Sequence, residues 1–107
     1  MSYEVMRLIC CFDLPTETNK QKRMYRHFRK ALLEYGFQMM QYSVYIRTCP
    51  NRSYAKKYHQ KIQTVAPSEG HIRLLMVTEK QYEDMILIIG KKAKQEDKIS
   101  NNRMVKI

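Results

Sequence analysis

Asp13 is the side chain in this sequence whose type and position most directly offer chemistry. It ends the apolar run Met6-Arg7-Leu8-Ile9-Cys10-Cys11-Phe12 and is followed by Leu14-Pro15. A run this short and β-prone, stopped by a residue that cannot donate into a ladder, reads as a buried strand whose pairing ceases near Leu14. The carboxylate is thereby delivered to the rim of a sheet. Two uses compete for it there. It either hydrogen-bonds the turn Leu14-Pro15-Thr16-Glu17, or serves as a hard ligand for Mg²⁺, which takes one or two protein carboxylates with waters and substrate phosphates.

The other reactive residue types form no comparable constellation. His27, His59 and His71 fall on a helix, a helix and a strand start, with no spacing that unites two of them as acid and base. Cys10 and Cys11 are strand neighbours pointing to opposite faces, Cys49 stands alone, and no Cys-x-x-Cys spacing suggests zinc or redox work. The second chemical signal is electrostatic. Lys22, Arg23, Arg26, Arg29 and Lys30 crowd one side of a helical segment without an acid among them. A solubilising helix mixes signs for i,i+4 pairing, and like charges at that spacing repel by a few tenths of a kcal/mol. An external polyanion would compensate them. A second helical segment adds Lys56, Lys57 and Lys61.

The elements that carry these residues are legible from caps and periodicity. Thr18 with Gln21 forms a capping box, so a helix runs from there to Tyr35 and stops at Gly36, with Met24, Phe28, Ala31, Leu32 and Tyr35 on its buried stripe. The β-prone segment 37–47 has polar Gln41 and Ser43 in its middle, which predicts two strands joined by a tight bend. Asn51 caps a second helix through about Val65, buried along Tyr54, Tyr58, Ile62 and Val65. After the turn 67–70, residues 71–77 form a fourth strand, and Thr78 with Gln81 caps one or two further helical turns. Met85-Ile86-Leu87-Ile88-Ile89 then reads as another strand, closed by Gly90.

The order strand, helix, strand, strand, helix, strand fits an α+β, ferredoxin-like βαββαβ arrangement spanning residues 1–90. Residues 91–103 read as a polar linker, and Met104 to Ile107 as a short extra C-terminal strand that adds to a sheet edge in this or another subunit. Apolar side chains on both faces of the first strand call for cover on both, which predicts a homodimer with sheets packed face to face.

Composition sets the outer limits. The 107 residues, 44% hydrophobic, suffice for one core. Lys plus Arg number 20 against 10 acids, a net charge of +10, so the partner is anionic and nucleic acid is the first candidate. The longest apolar run, Met85 to Ile89, is too short to span a bilayer, no signal peptide is visible, and a cytoplasmic location is expected.

Together the residues resemble a known family. Phe12-Asp13-Leu14-Pro15-Thr16, Arg26-x-x-Arg29-Lys30, Tyr35-Gly36-Phe37, Gln41-x-Ser43-Val44-Tyr45 and Leu74-Leu75-x-Val77-Thr78-Glu79-Lys80-Gln81 are similar, in that order, to the CRISPR-associated protein 2 family, and most of all to members from type II systems. The resemblance implies a homodimer that joins the CRISPR-associated protein 1 integrase in spacer acquisition, bridging duplex DNA. It also implies a Mg²⁺-dependent endonuclease acting on RNA or DNA, with Asp13 from each subunit at the dimer axis and Ser43 near the cleft. Where the family often has Tyr-Asp this chain has Phe12-Asp13, so that hydroxyl is absent. The basic residues Lys22, Arg23, Arg26, Arg29, Lys30, Lys56, Lys57 and Lys61 would then grip the DNA backbone.

Two other classes carry less. A non-catalytic RNA-binding module on the same fold needs an aromatic sheet platform, and the first strand offers Ile9, Cys10 and Cys11 instead. A metal-free ribonuclease needs paired histidines, which the spacing does not supply.

Overall fold

Thr18 opens the first helix as its distance from Gln21 predicts. In the computed structural model, which describes residues 4–90, the Thr18 hydroxyl accepts from the Gln21 amide at 3.1 Å and the Gln21 side chain accepts from the Thr18 amide at 3.0 Å. The elements in chain order are β1 (Met6–Asp13), α1 (Asn19–Glu34), β2 (Gln38–Gln41), β3 (Val44–Cys49), α2 (Arg52–Val65), β4 (His71–Thr78) and α3 (Glu79–Glu83). Asn51 caps α2 through a 2.8 Å bond from the Tyr54 amide, and the Thr78–Gln81 box starts α3. The two middle strands part at Tyr42 and Ser43, where Ser43 takes a left-handed φ of 63°.

The four strands form one antiparallel sheet in the order β2-β3-β1-β4. That is the ferredoxin-like arrangement, with β1 inside and β2 and β4 at the edges. Alternation divides β1 between two environments. Leu8, Cys10 and Phe12 pack with Phe28 and Leu32 of α1 and Ala55, Tyr58 and Ile62 of α2 to make the main core. The rings of Phe12 and Phe28 meet edge to face at 5.2 Å. α1 and α2 therefore cover one side of the sheet only.

On the opposite side, the chain itself supplies part of the cover. Tyr82 of α3 packs against Ile9 and Ile46, and all three are buried. Arg7, only 2% exposed, is gripped there by Glu79, so α3 covers one half of that face. The other half, with Cys11, Asp13, His71 and Arg73, stays exposed.

Met85 to Ile89 does not form the further strand that its apolar character predicts. The chain leaves α3 through a bond from the Met85 amide to the Tyr82 carbonyl at 3.1 Å. The run then pairs with neither sheet edge, and Ile86, Ile88 and Ile89 are exposed by 70%, 69% and 88%. Composition favours a strand but does not provide the edge that would satisfy its backbone. The expected linker 91–103 and terminal strand 104–107 lie outside the described residues.

Candidate active site and nucleic-acid surface

Asp13 ends β1 with its side chain exposed. Among the described residues it has no hydrogen-bond or ion-pair partner, so the turn at Leu14 to Glu17 does not consume the carboxylate. Pairing of β1 with β4 sets Asp13 opposite His71 and Cys11 opposite Arg73. Cross-strand partners share a sheet face, with Cβ atoms roughly 5 Å apart. Asp13, His71, Cys11 and Arg73 thus sit together on the face away from α1 and α2. Gly70 makes this register possible. At φ +95° it crosses the end of β1 so closely that a Cβ would lie 2.6 Å from the Asp13 carbonyl oxygen and 3.1 Å from the Leu14 Cα.

Ser43 reaches the same sheet end from β3. Its carbonyl accepts from the Phe12 amide at 3.0 Å, which places it one residue from Asp13 across the strands. Its hydroxyl, however, is engaged with Tyr25 of α1, on the helix side. Burial, and then hydrogen bonding with Tyr42, raise the pKa of the Tyr25 phenol, while the Ser43 hydroxyl bond lowers it. Tyr42 itself is 80% exposed at the hairpin tip. Sequence periodicity placed neither Tyr25 nor Tyr42 there. The only local clue was the β2–β3 bend beside Gln41 and Ser43.

The eight predicted backbone-contacting cations are all exposed and all on the helix layer: Lys22, Arg23, Arg26, Arg29 and Lys30 on α1, and Lys56, Lys57 and Lys61 on α2. Some are fixed by tyrosines. Arg29 donates to the Tyr45 hydroxyl at 2.7 Å, Lys57 lies over the Tyr54 ring at 4.7 Å, and Lys61 over Tyr58 at 4.9 Å. A cleft of about 410 Å³ between the helices is lined by Arg26, His27, Lys30 and Glu34. These cations share a surface with one another, but not with Asp13, because the sheet stands between them.

Arg47, which the sequence presents only as the end of a strand, ties the helix ends together. It donates to the Tyr35 carbonyl at 2.8 Å and the Tyr54 hydroxyl at 3.1 Å, and lies 4.4 Å above the Tyr58 ring. A Cβ on Gly36 (φ +86°) would clash with its guanidinium.

Cysteine chemistry gains no support. Burial pushes the Cys10 thiol up to about 12 and raises that of Cys49, which keeps both protonated and inert. No three metal-ligating side chains converge among the described residues. At this end of the sheet Asp13 offers a free hard oxygen donor, with His71 as its strand neighbour. A lone carboxylate suits Mg²⁺, which takes one or two protein carboxylates and fills its shell with waters and substrate phosphates.

Comparison with known proteins identifies the family. The family model described as CRISPR associated protein Cas2 matches residues 6–85. Among the similar proteins that carry the name CRISPR-associated endoribonuclease Cas2 are the following three. That of Ligilactobacillus salivarius is 48% identical over 90 residues, covering 84% of this chain and 89% of the relative. That of Lacticaseibacillus rhamnosus is 47% identical over 102 residues, 95% and 100% respectively. The third, from Flavobacterium psychrophilum, is 41% identical over 98 residues, 92% and 85%.

Proposed function

Since this chain belongs to the CRISPR-associated protein Cas2 family, we propose that it acts in spacer acquisition as a homodimeric bridge under duplex DNA, beside the CRISPR-associated protein 1 integrase, and cleaves phosphodiester bonds with Mg²⁺ held at Asp13. The observation that carries this reading is the two-sided layout. One face of the sheet bears helices studded with exposed cations, and the other presents an unpartnered carboxylate at its open end. The names of the relatives favour RNA for the cleaved strand. A cytoplasmic setting fits such partners, and among the described residues no helix is long and apolar enough to cross a membrane.

In this mechanism each residue has a limited task. Asp13 would hold the cation, and Mg²⁺ bound there would supply charge neutralisation and an activated water. Ser43 fixes the end of β1, and with it the position of Asp13, through its carbonyl.

Duplex binding would rest on the helix layer and read no bases. If about six phosphates are neutralised, log affinity falls with log salt at a slope near −5, and scrambling the DNA sequence changes little. Replacing Arg26 and Arg29 together by alanine flattens that slope by about two. A slope near zero, or affinity untouched by the double replacement, would mean that α1 is merely a solvated face.

The dimer would use an edge. Among the described residues β4 has an unpaired outer edge, and between it and α2 runs a cavity of about 440 Å³ whose lining includes Leu8, Ala55, Ile62, Ile72, Leu74 and Met76. An added strand from a second subunit would satisfy the edge and seat its apolar side chains in that groove. Met104 to Ile107 is the segment assigned to it. Removing those four residues weakens the dimer or its hold on the integrase; unchanged dimer mass with unchanged co-purification of the integrase would leave the segment without this role.

A further inference from the structure

We infer that Tyr45, a core residue, is a positioning residue for duplex DNA: its hydroxyl holds Arg29 with the outer edge of the guanidinium ready for a phosphate. The inference rests on the reading of α1 as a duplex-binding surface and names the contact there that is built in advance. Tyr45 is 1% exposed, lies on β3 opposite Cys10, and belongs to the core on the helix side of the sheet. That is the side away from the face on which two copies would pack.

Filling this part of the core does not need a hydroxyl. Phe12, whose ring centroid is 5.6 Å from that of Tyr45, and Phe28 occupy neighbouring positions without one. A buried phenol needs a hydrogen-bond partner, and this one accepts from Arg29 Nε at 2.7 Å. Of the five N–H donors of an arginine, that bond uses the one nearest the aliphatic stem. Arg29 is exposed, and its two Nη groups have no partner among the described residues. They form the fork that can meet two phosphate oxygens at once.

The helix beneath is fixed as well. Tyr25, one turn before Arg29, hydrogen-bonds Ser43 just before β3, so α1 is tied to the β2–β3 hairpin at both positions. The side chains of Lys22, Arg23, Arg26 and Lys30, by contrast, make no hydrogen bond or ion pair among the described residues. Each of these gives up rotamer freedom on meeting a phosphate, whereas Arg29 has given up much of it already. Charge and position leave different traces. Removing a cation reduces the counterions released and so the salt slope, while loosening a cation that stays in place lowers affinity at every salt concentration alike.

The test compares full-length wild type with Tyr45→Phe, Arg29→Ala, Arg29→Lys and the Tyr45→Phe/Arg29→Ala protein, by anisotropy with a fluorescent blunt DNA duplex across a salt series. Tyr45→Phe should weaken binding about three- to tenfold and leave the slope unchanged. Arg29→Ala should weaken it further and flatten the slope by about one. In the Arg29→Ala background, Tyr45→Phe should have no additional effect on affinity. Arg29→Lys keeps the charge but cannot hold the hydroxyl and offer a fork together, so it should match Tyr45→Phe. It leaves the core untouched and decides the matter if Tyr45→Phe does not fold. Affinity lost in Arg29→Ala but kept in both Tyr45→Phe and Arg29→Lys would make the bond a device for stability alone, which overturns the inference and leaves the α1 reading standing. An equal loss from Tyr45→Phe in both backgrounds, or duplex binding indifferent to Arg29, overturns it too. A wild-type slope near zero would instead remove the α1 reading, and the inference with it.

Discussion

Asp13→Asn protein is expected to lose metal-dependent cleavage by about a hundredfold or more while keeping its fold, its dimer and its affinity for duplex DNA. Asparagine preserves the size of the side chain and removes the charge, and a neutral amide does not hold Mg²⁺ at this strand end. The cation's neutralisation of the phosphate and its activation of water are worth several kcal/mol of barrier, which sets the size of the loss. Stability should hardly move. Asp13 is exposed and forms no hydrogen bond or ion pair among the described residues, so nothing buried is left without a partner. Duplex affinity should hold because the eight cations that would carry it lie on the other side of the sheet.

Spacer insertion by the complex with the integrase should persist in the same variant, because under the proposed division of labour this chain bridges and the integrase does the strand transfer. The two readouts separate enzyme from scaffold. Cleavage at the wild-type rate would remove Asp13 from catalysis. Failed insertion with an intact assembly would give the aspartate a role beyond cleavage.

Most of the scaffold that presents Asp13 was legible because it is written locally. A capping box needs only Thr18 and Gln21, a bend only the polar interruption at Gln41 and Ser43, a strand stop only Pro15. Register is not local. Asp13 and His71 are far apart in the chain, and nothing near either residue announces that β4 will run back along β1 and set them opposite one another. The partial cover of the second sheet face by α3 is equally non-local: Tyr82 sits in a five-residue helix too short to show a periodic stripe, so nothing near it announces the contact with Ile9 and Ile46. Arg7 was passed over as a lone charge in an apolar run. Its meaning depends on Glu79, 72 positions away.

That pair gives the second large effect. Glu79→Ala is expected to cost about 3 kcal/mol of folding stability, the low end of the range for breaking a buried ion pair, because Glu79 itself is 37% exposed and water reaches its side. The Arg7 guanidinium is 2% exposed, donates to both Glu79 oxygens at 2.8 and 2.6 Å, and has Nη1 buried without a partner among the described residues. Only the Tyr82 ring, 4.1 Å below it, offers further compensation. Removing the carboxylate strands a charge between α3 and the sheet. Replacing Arg7 by methionine removes the charge instead and keeps an apolar chain of similar length against Ile9 and Tyr82, so Glu79→Ala made in that background should cost well under half as much. Urea unfolding at fixed protein concentration measures the four corners of this cycle, with the single Glu79→Ala midpoint falling by about 1–3 M. A coupling of about 2 kcal/mol would show that the ion pair clamps α3 over Ile9 and Ile46. If the two replacements instead add to within about 0.5 kcal/mol, the clamp is the apolar packing of Tyr82 alone and the charges are bystanders.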